Sequence, residues 1–175
     1  ISPGQSTVCD VVYRVGWFYD ENKEPELSNT IPLQQTITNI IGLEFKEIQS
    51  KIDFTPKDRP FKGKYVTICN ESTAHLKLWN NENGWKYLIS MGYGVVNVSM
   101  KGEHIDGTFK ISDTSIPSTL NYIHHSEFFI GLSSGLSWLS WGIGKHVVMI
   151  SNFTEEGHEF TSNCTRITNT KVCNG

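Results

Sequence analysis

Cysteine is scarce in this chain. Four thiols, Cys9, Cys69, Cys164 and Cys173, are spread through 175 residues, too thinly for a disulfide-stapled miniprotein. A surplus of positive charge is also missing: 15 Lys and Arg face 18 Asp and Glu, a net charge of -3. That balance builds no basic field, which argues against a nucleic-acid partner and a polybasic membrane binder. No apolar run reaches the roughly 18 residues of a membrane-spanning helix, so membrane insertion is not expected. The opening residues lack a signal-peptide pattern. Neither a G-x-G-x-x-G fingerprint nor a P-loop occurs, which disfavours dinucleotide enzymes and NTPases. The chain opens at Ile1 without Met and stops at Cys173-Asn174-Gly175, so a fragment of a longer protein is expected.

What is present is apolar and ordered. Hydrophobic residues make up 38% and aromatics 11%, enough for a chain of this length to bury a core. Asp10 to Phe18 reads as a strand rich in β-branched and aromatic side chains, and Asp20 to Asn29, with Pro25, as a loop. Pro32 suits the first turn of a helix, where its missing N–H costs nothing. Leu33, Ile37, Ile40 and Ile41 follow at helical spacing, and Gly42 ends the run. Lys51 to Lys64 holds Pro56, Pro60 and five basic residues and reads as a linker.

A regular alternation then begins. Tyr65–Cys69 is a short apolar strand, with Cys69 a buried strand residue. A polar stretch spans 70–77, and a helix is expected over about 82–90, closed by Gly92. Val95–Val98 is a strand, 101–115 a loop, and Pro117 begins a helix with Leu120 and Ile123 inward. Glu127–Gly131 is a strand, Leu136–Gly144 a helix and His146–Ile150 a strand. Strands alternating with helices imply βαβ units and a parallel sheet. Their continuous apolar character implies helices on both faces. The expected class is α/β, Rossmann-like.

In such a sheet ligands sit beyond the carboxyl ends of the strands. Two segments occupy that place. Asn70–Lys77 offers the hydroxyls of Ser72 and Thr73 and the ammonium of Lys77, a set suited to phosphate. Leu132-Ser133-Ser134-Gly135-Leu136 turns from strand into helix, where unpaired N–H groups and the positive dipole end favour an anion. Each has a plain reading too: Ser-Ser-Gly serves as a helix cap, and a lysine above a sheet as a solvated charge. Gly131-Leu132-Ser133-Ser134-Gly135 also has the G-x-S-x-G spacing of a nucleophile elbow, which leaves a serine hydrolase open, with His146 or His158 as the triad histidine. Cys164 and Cys173, nine positions apart in a polar tail read as a loop, suit a metal or a disulfide. Thiolate metal sites, however, usually need four ligands.

Phe129-Ile130-Gly131-Leu132-Ser133-Ser134-Gly135-Leu136-Ser137-Trp138, followed by Gly144-Lys145-His146-Val147-Val148-Met149-Ile150, resembles the donor-binding half of GT-B heptosyltransferases. Within that group the string is similar to the bacterial protein O-heptosyltransferases that glycosylate autotransporter adhesins. Pro32-Leu33-Gln34-Gln35, Ile41-Gly42-Leu43-Glu44, Ser72-Thr73, Lys77-Leu78-Trp79-Asn80 and Gly84-Trp85 support the likeness, which runs over most of 30–173. The resemblance implies two Rossmann-like domains with a cleft between them. Residues 1–55 would be the tail of the first, acceptor-side domain with a linker. Residues 56–160 would be the nucleotide-sugar-binding domain, and 161–175 the start of a cysteine-containing metal-binding tail. It implies transfer of heptose from ADP-heptose to serine hydroxyls of an acceptor protein in the cytoplasm. Ser133, Ser134, Gly135 and Leu136 would hold the pyrophosphate, and Ser72, Thr73 and Lys77 would contact it from the opposite strand end. Iron, or zinc, on Cys164 and Cys173 and a homo-oligomer belong to the same implication. The catalytic base would lie in the first domain, so none is named. Many lipopolysaccharide heptosyltransferases carry Asp before this Gly and His three residues after it; Ser134 and Trp138 stand there, which favours the protein-modifying branch. The alternative is a non-catalytic Rossmann-like ligand-binding module.

Overall fold

The computed structural model describes residues 33–79, 81–101, 104–151 and 156–168. The expected strand over 10–18, the loop over 20–29, Cys9, Pro32 and Cys173 lie outside them. The chain divides into two compact units, 1–46 with 157–159, and 47–156 with 160–175.

In the first unit, helix α1 spans Leu33–Ile40. It ends as the sequence implies. Gly42 takes φ +72°, a conformation that a Cβ would disfavour. Leu43 N–H then reaches back to the Thr38 carbonyl at 2.9 Å, and Gly42 N–H to Asn39 at 3.2 Å. This hydrogen-bond pair satisfies carbonyls that the helix end would leave open.

The second unit is built on six strands: β1 Tyr65–Cys69, β2 Gly94–Asn97, β3 Phe109–Lys110, β4 Phe129–Leu132, β5 Val147–Ile150 and β6 Cys164–Ile167. Helix α2 (Glu82–Ser90) joins β1 to β2, α3 (Ile116–His125) joins β3 to β4, and α4 (Gly135–Gly142) joins β4 to β5. All neighbouring strands are parallel, in the order β3-β2-β1-β4-β5-β6. The sheet is covered on both sides, as the apolar strands imply. All five residues of β1 are buried. Tyr65 and Cys69 pack in one cluster with Ile123, Phe129, Trp141, Val147 and Met149. Val66 and Ile68 pack in the other with Trp85, Val95 and Ile130. Alternate residues of one strand therefore serve opposite faces, with α3 and α4 on the first and α2 on the second. Each such side chain contributes about 1.5–3 kcal/mol on burial.

Two expected loops prove to hold strands. Phe109–Lys110, within 101–115, pairs with Val96–Asn97 at one sheet edge. Cys164–Ile167, read as part of a polar loop, pairs along the whole of β5. Its residues alternate between half-buried Cys164 and Arg166 and exposed Thr165 and Ile167. Both are edge strands with one partner, so backbone pairing defines them rather than apolar content. The 51–64 segment has neither helix nor strand but is fastened to α3. The Asn121 side chain accepts from Lys57 N–H at 2.9 Å and donates to the Asp58 carbonyl at 3.1 Å. No described helix is long and apolar enough to cross a membrane.

Candidate functional site

The strand order contains one reversal. From β1 the chain moves outward through β2 to β3, then returns to the far side of β1 as β4. Crossovers on the two sides of that point diverge, so the loops after β1 and β4 flank a crevice at the carboxyl ends of the strands. These are the two segments that the sequence singles out.

After β1, Asn70 enters a polar network with the end of β2. Ser99 Oγ accepts from Asn70 N–H at 2.9 Å and donates to Asn70 Oδ1 at 2.7 Å. Asn97 Nδ2 donates to the same Oδ1 at 3.2 Å, while Asn97 Oδ1 accepts from Ser99 N–H at 2.9 Å. Asn97 and Ser99 are fully buried. The Glu71 carboxylate accepts from Met100 N–H at 2.7 Å and also from Lys101 N–H. Thus the root of the 70–77 loop is stitched to the neighbouring strand end. Further along, Ser72 Oγ accepts from Ala74 N–H at 3.3 Å, Thr73 is exposed, and His75–Lys77 forms a single 3-10 turn.

After β4, Ser133 is buried and Ser134 is extended at the start of α4, with no side-chain capping bond. The backbone cap is made by Ser134 O, which accepts from Ser137 N–H at 3.1 Å. Ser137, fully buried, donates its hydroxyl to the Leu132 carbonyl at 2.6 Å. Gly135 is exposed, and a Cβ there would meet nothing within 4 Å. Gly131 is the opposite case: a Cβ would lie 2.5 Å from the Phe129 ring. The space a side chain would need at Gly131 is filled by the buried Phe129 ring. The two loops meet directly, because Lys77 Nζ donates to the Ser133 carbonyl at 3.2 Å. The expected residues Ser72, Thr73, Lys77, Ser133, Ser134, Gly135 and Leu136 therefore lie on the two segments that follow the neighbouring strands β1 and β4. Lys77 and Ser133 are in contact.

The other candidates separate from this site. His146 sits before β5, at the opposite end of the strands from Ser133, and its ring nitrogens are engaged with Asn163 Oδ1 at 3.2 Å and Thr165 Oγ1 at 3.0 Å. It makes no Ser–His pair with Ser133. Cys164 is half-buried on β6 and packs against the α4-side cluster. Among the described residues no three His, Cys, Asp or Glu side chains form a group that could hold a metal ion. Burial pushes the Cys69 thiol above its ordinary value, against smaller opposing effects of hydrogen bonds with Glu71 and Ser99. A cavity of about 310 Å³ opens where α3 and α4 end, lined by His124, Gly142, Ile143 and part of the 51–56 segment. The Asn70–Asn97–Ser99 network was not anticipated, although one sequence signal exists: a polar Asn97 amid the apolar run 95–98.

This architecture is a Rossmann-like α/β fold, with a parallel six-stranded sheet and helices on both faces. No family model matches the chain. Curated relatives do. Autotransporter heptosyltransferase BAHTCr of Citrobacter rodentium is 30% identical, with 93% of this chain and 43% of the relative covered. Inactive autotransporter heptosyltransferase BimC of Burkholderia thailandensis is 27% identical, with 93% and 42% covered. Among solved structures, the dodecameric iron-containing heptosyltransferase TibC in complex with ADP-D-β-D-heptose superposes with a TM-score of 0.73 at 31% identity, over 92% of this chain and 46% of that one. Heptosyltransferase WaaC of Escherichia coli with ADP, at 15% identity and a TM-score of 0.55 over 78% of this chain and 49% of that one, shares the fold. The likeness to autotransporter heptosyltransferases thus runs along nearly the whole chain. The chain spans less than half the length of these relatives.

Proposed function

We propose that this chain is the donor-binding part of a heptosyltransferase that takes a nucleotide-diphosphate sugar, ADP-heptose, and passes the sugar to serine hydroxyls of an autotransporter adhesin. The observation that carries this is the meeting of the two loops at the reversal in strand order, with the Lys77 ammonium on the first carbonyl after β4. In the transfer, the bond from the anomeric carbon to the diphosphate breaks and a bond to the serine oxygen forms. Negative charge grows on the departing diphosphate. The Lys77 ammonium and the first N–H groups of α4 are the groups here that oppose it. The serine proton goes to a base on the acceptor-side domain, outside the residues assigned here.

The domain division at 1–55, 56–160 and 161–175 belongs to this reading, as do a cytoplasmic location and assembly into a homo-oligomer. TibC, the similar solved structure, is iron-containing, dodecameric and bound to ADP-heptose, which supports the donor and, for the oligomer, the same expectation. For iron, Cys164 and Cys173 would be two of the ligands.

The test uses the full-length protein that contains this chain. Titration calorimetry with ADP compares wild type with Lys77→Ala and Ser134→Ala. Loss of a charge-assisted contact, about 1.5–3 kcal/mol, weakens ADP roughly ten- to hundredfold in the lysine variant. Loss of a neutral hydroxyl costs less. Unchanged affinity in both variants refutes the assignment. An inactive relative exists, so transfer to the adhesin is followed by intact-protein mass. Tight ADP binding without any mass increase favours the non-catalytic module.

A further inference from the structure

We infer that Arg166 supplies a second cation to the diphosphate site, opposite Lys77. The inference rests on the nucleotide-sugar reading above and adds to it a residue from the edge strand. Leu132, Ile150 and Ile167 are partners across β4, β5 and β6, so the three strands end level. The next residues, Ser133 and Ser151, each follow directly on the paired positions Leu132 and Ile150, on strands that neighbour at about 4.8 Å. On one of these ends, Ser133 O accepts from Lys77 Nζ at 3.2 Å. On the other, Ser151 Oγ accepts from Arg166 Nη1 at 2.9 Å. Two cations, one arriving from the β1 side and one from the β6 side, are thus brought to adjacent strand ends.

The faces agree. Cys164 packs against the cluster that α4 covers, and the two-residue period of a strand puts Arg166 on that same face. This is the side on which α4 begins. Ser151 is a fixed anchor: it is 3% exposed, and its N–H donates to the Ile167 carbonyl at 3.0 Å. The bond to Ser151 keeps Nη1 of the guanidinium at this strand end. The planar guanidinium fork matches two oxygens of a phosphate, which a lysine ammonium does not. An edge strand that needed only protection from further pairing would be served by an exposed lysine. Arg166 is instead half-buried.

The experiment uses the full-length protein, with ADP and adenosine titrated separately into wild type, Arg166→Gln and Arg166→Lys. Arg166→Gln is expected to weaken ADP by about tenfold or more while adenosine stays within about twofold, because the lost contact is to phosphate. Arg166→Lys restores part of the ADP affinity, since it keeps the charge without the fork. Equal ADP affinity in Arg166→Gln and wild type overturns the inference. So does an equal loss for ADP and adenosine, which marks a purely structural role. If Arg166→Gln does not fold, Arg166→Lys decides: weaker ADP with unchanged adenosine supports the inference, and wild-type ADP affinity overturns it. Failure of the underlying reading looks different. There, wild type itself binds ADP no better than adenosine, and the assignment of Arg166 falls with it.

Discussion

Replacing Asn97 with alanine tests how the 70–77 loop is held. Asn97 is fully buried at the last position of β2. Its Oδ1 accepts from Ser99 N–H at 2.9 Å and its Nδ2 donates to Asn70 Oδ1 at 3.2 Å. Alanine removes both contacts. Asn70 Oδ1 keeps the Ser99 hydroxyl at 2.7 Å, so its loss is small. Ser99 N–H, in a residue with no exposure, loses this acceptor, which costs about 1–3 kcal/mol. The space left by the amide adds about 1 kcal/mol. The sum is about 2–4 kcal/mol, a large part of the 5–15 kcal/mol that holds a typical domain. Urea denaturation of the full-length protein reads it as a lower midpoint at unchanged slope. Asn97→Asp sharpens the test. It keeps the acceptor for Ser99 N–H but turns an oxygen towards Asn70 Oδ1. A buried aspartate has its folded-state pKa raised, so this variant's deficit grows as pH rises from about 4 to 7. A loss below about 0.5 kcal/mol for Asn97→Ala, or a pH-independent deficit for Asn97→Asp, would refute the network as described.

Three further expectations follow from the same geometry. The Glu47 carboxylate accepts from Thr161 N–H, Thr161 Oγ1 and Ser162 N–H at 2.8–3.0 Å. Burial raises its pKa, but hydrogen bonds from Ser162 and Thr161 outweigh this and hold it below 4.5. Its stabilisation is therefore present above that value and lost as pH falls through the lower folded pKa. Glu47→Gln should flatten the acid limb of a melting-temperature profile, and an unaltered limb contradicts the assignment. Gly131→Ala drives a Cβ to 2.5 Å from the buried Phe129 ring and should cost about 1–3 kcal/mol in thermal or urea unfolding; a neutral result means that the ring has room to move. Cys69 is 1% exposed with its thiol pKa raised by burial, so iodoacetamide at pH 8 should label it only after unfolding, as read by peptide mass spectrometry. Rapid labelling of the native protein argues against a buried Cys69.

Local pattern carried much of the fold. The run Tyr65–Cys69 forms a strand with those same ends, because five successive apolar or β-branched residues fit a doubly covered sheet. The Gly42 stop, Pro117 in the first turn of α3 and the Ser-Ser-Gly entry to α4 are short-range signals, set by backbone sterics within a few residues. The two loops of the candidate site were legible for the same reason: in a parallel sheet, the segment after each strand faces the ligand side.

The chain itself, read residue by residue, settles which segments become strands and helices wherever apolar spacing, glycine and proline act locally. It does not settle which strand ends become neighbours. β1 lies beside β4 although 59 positions separate Thr67 from Ser126, whose hydroxyls meet at 3.1 Å. Lys77 reaches Ser133 across 56 positions. Phe109–Lys110 and Cys164–Ile167 become strands because an open sheet edge offers them backbone partners, a condition that exists once the core strands have assembled. Arg166 in a polar tail carries no local mark of a site. Only the level ends of β4, β5 and β6 bring it to Ser151, next to the strand end that Lys77 occupies, because hydrogen-bond register is a property of the assembled sheet rather than of any one strand.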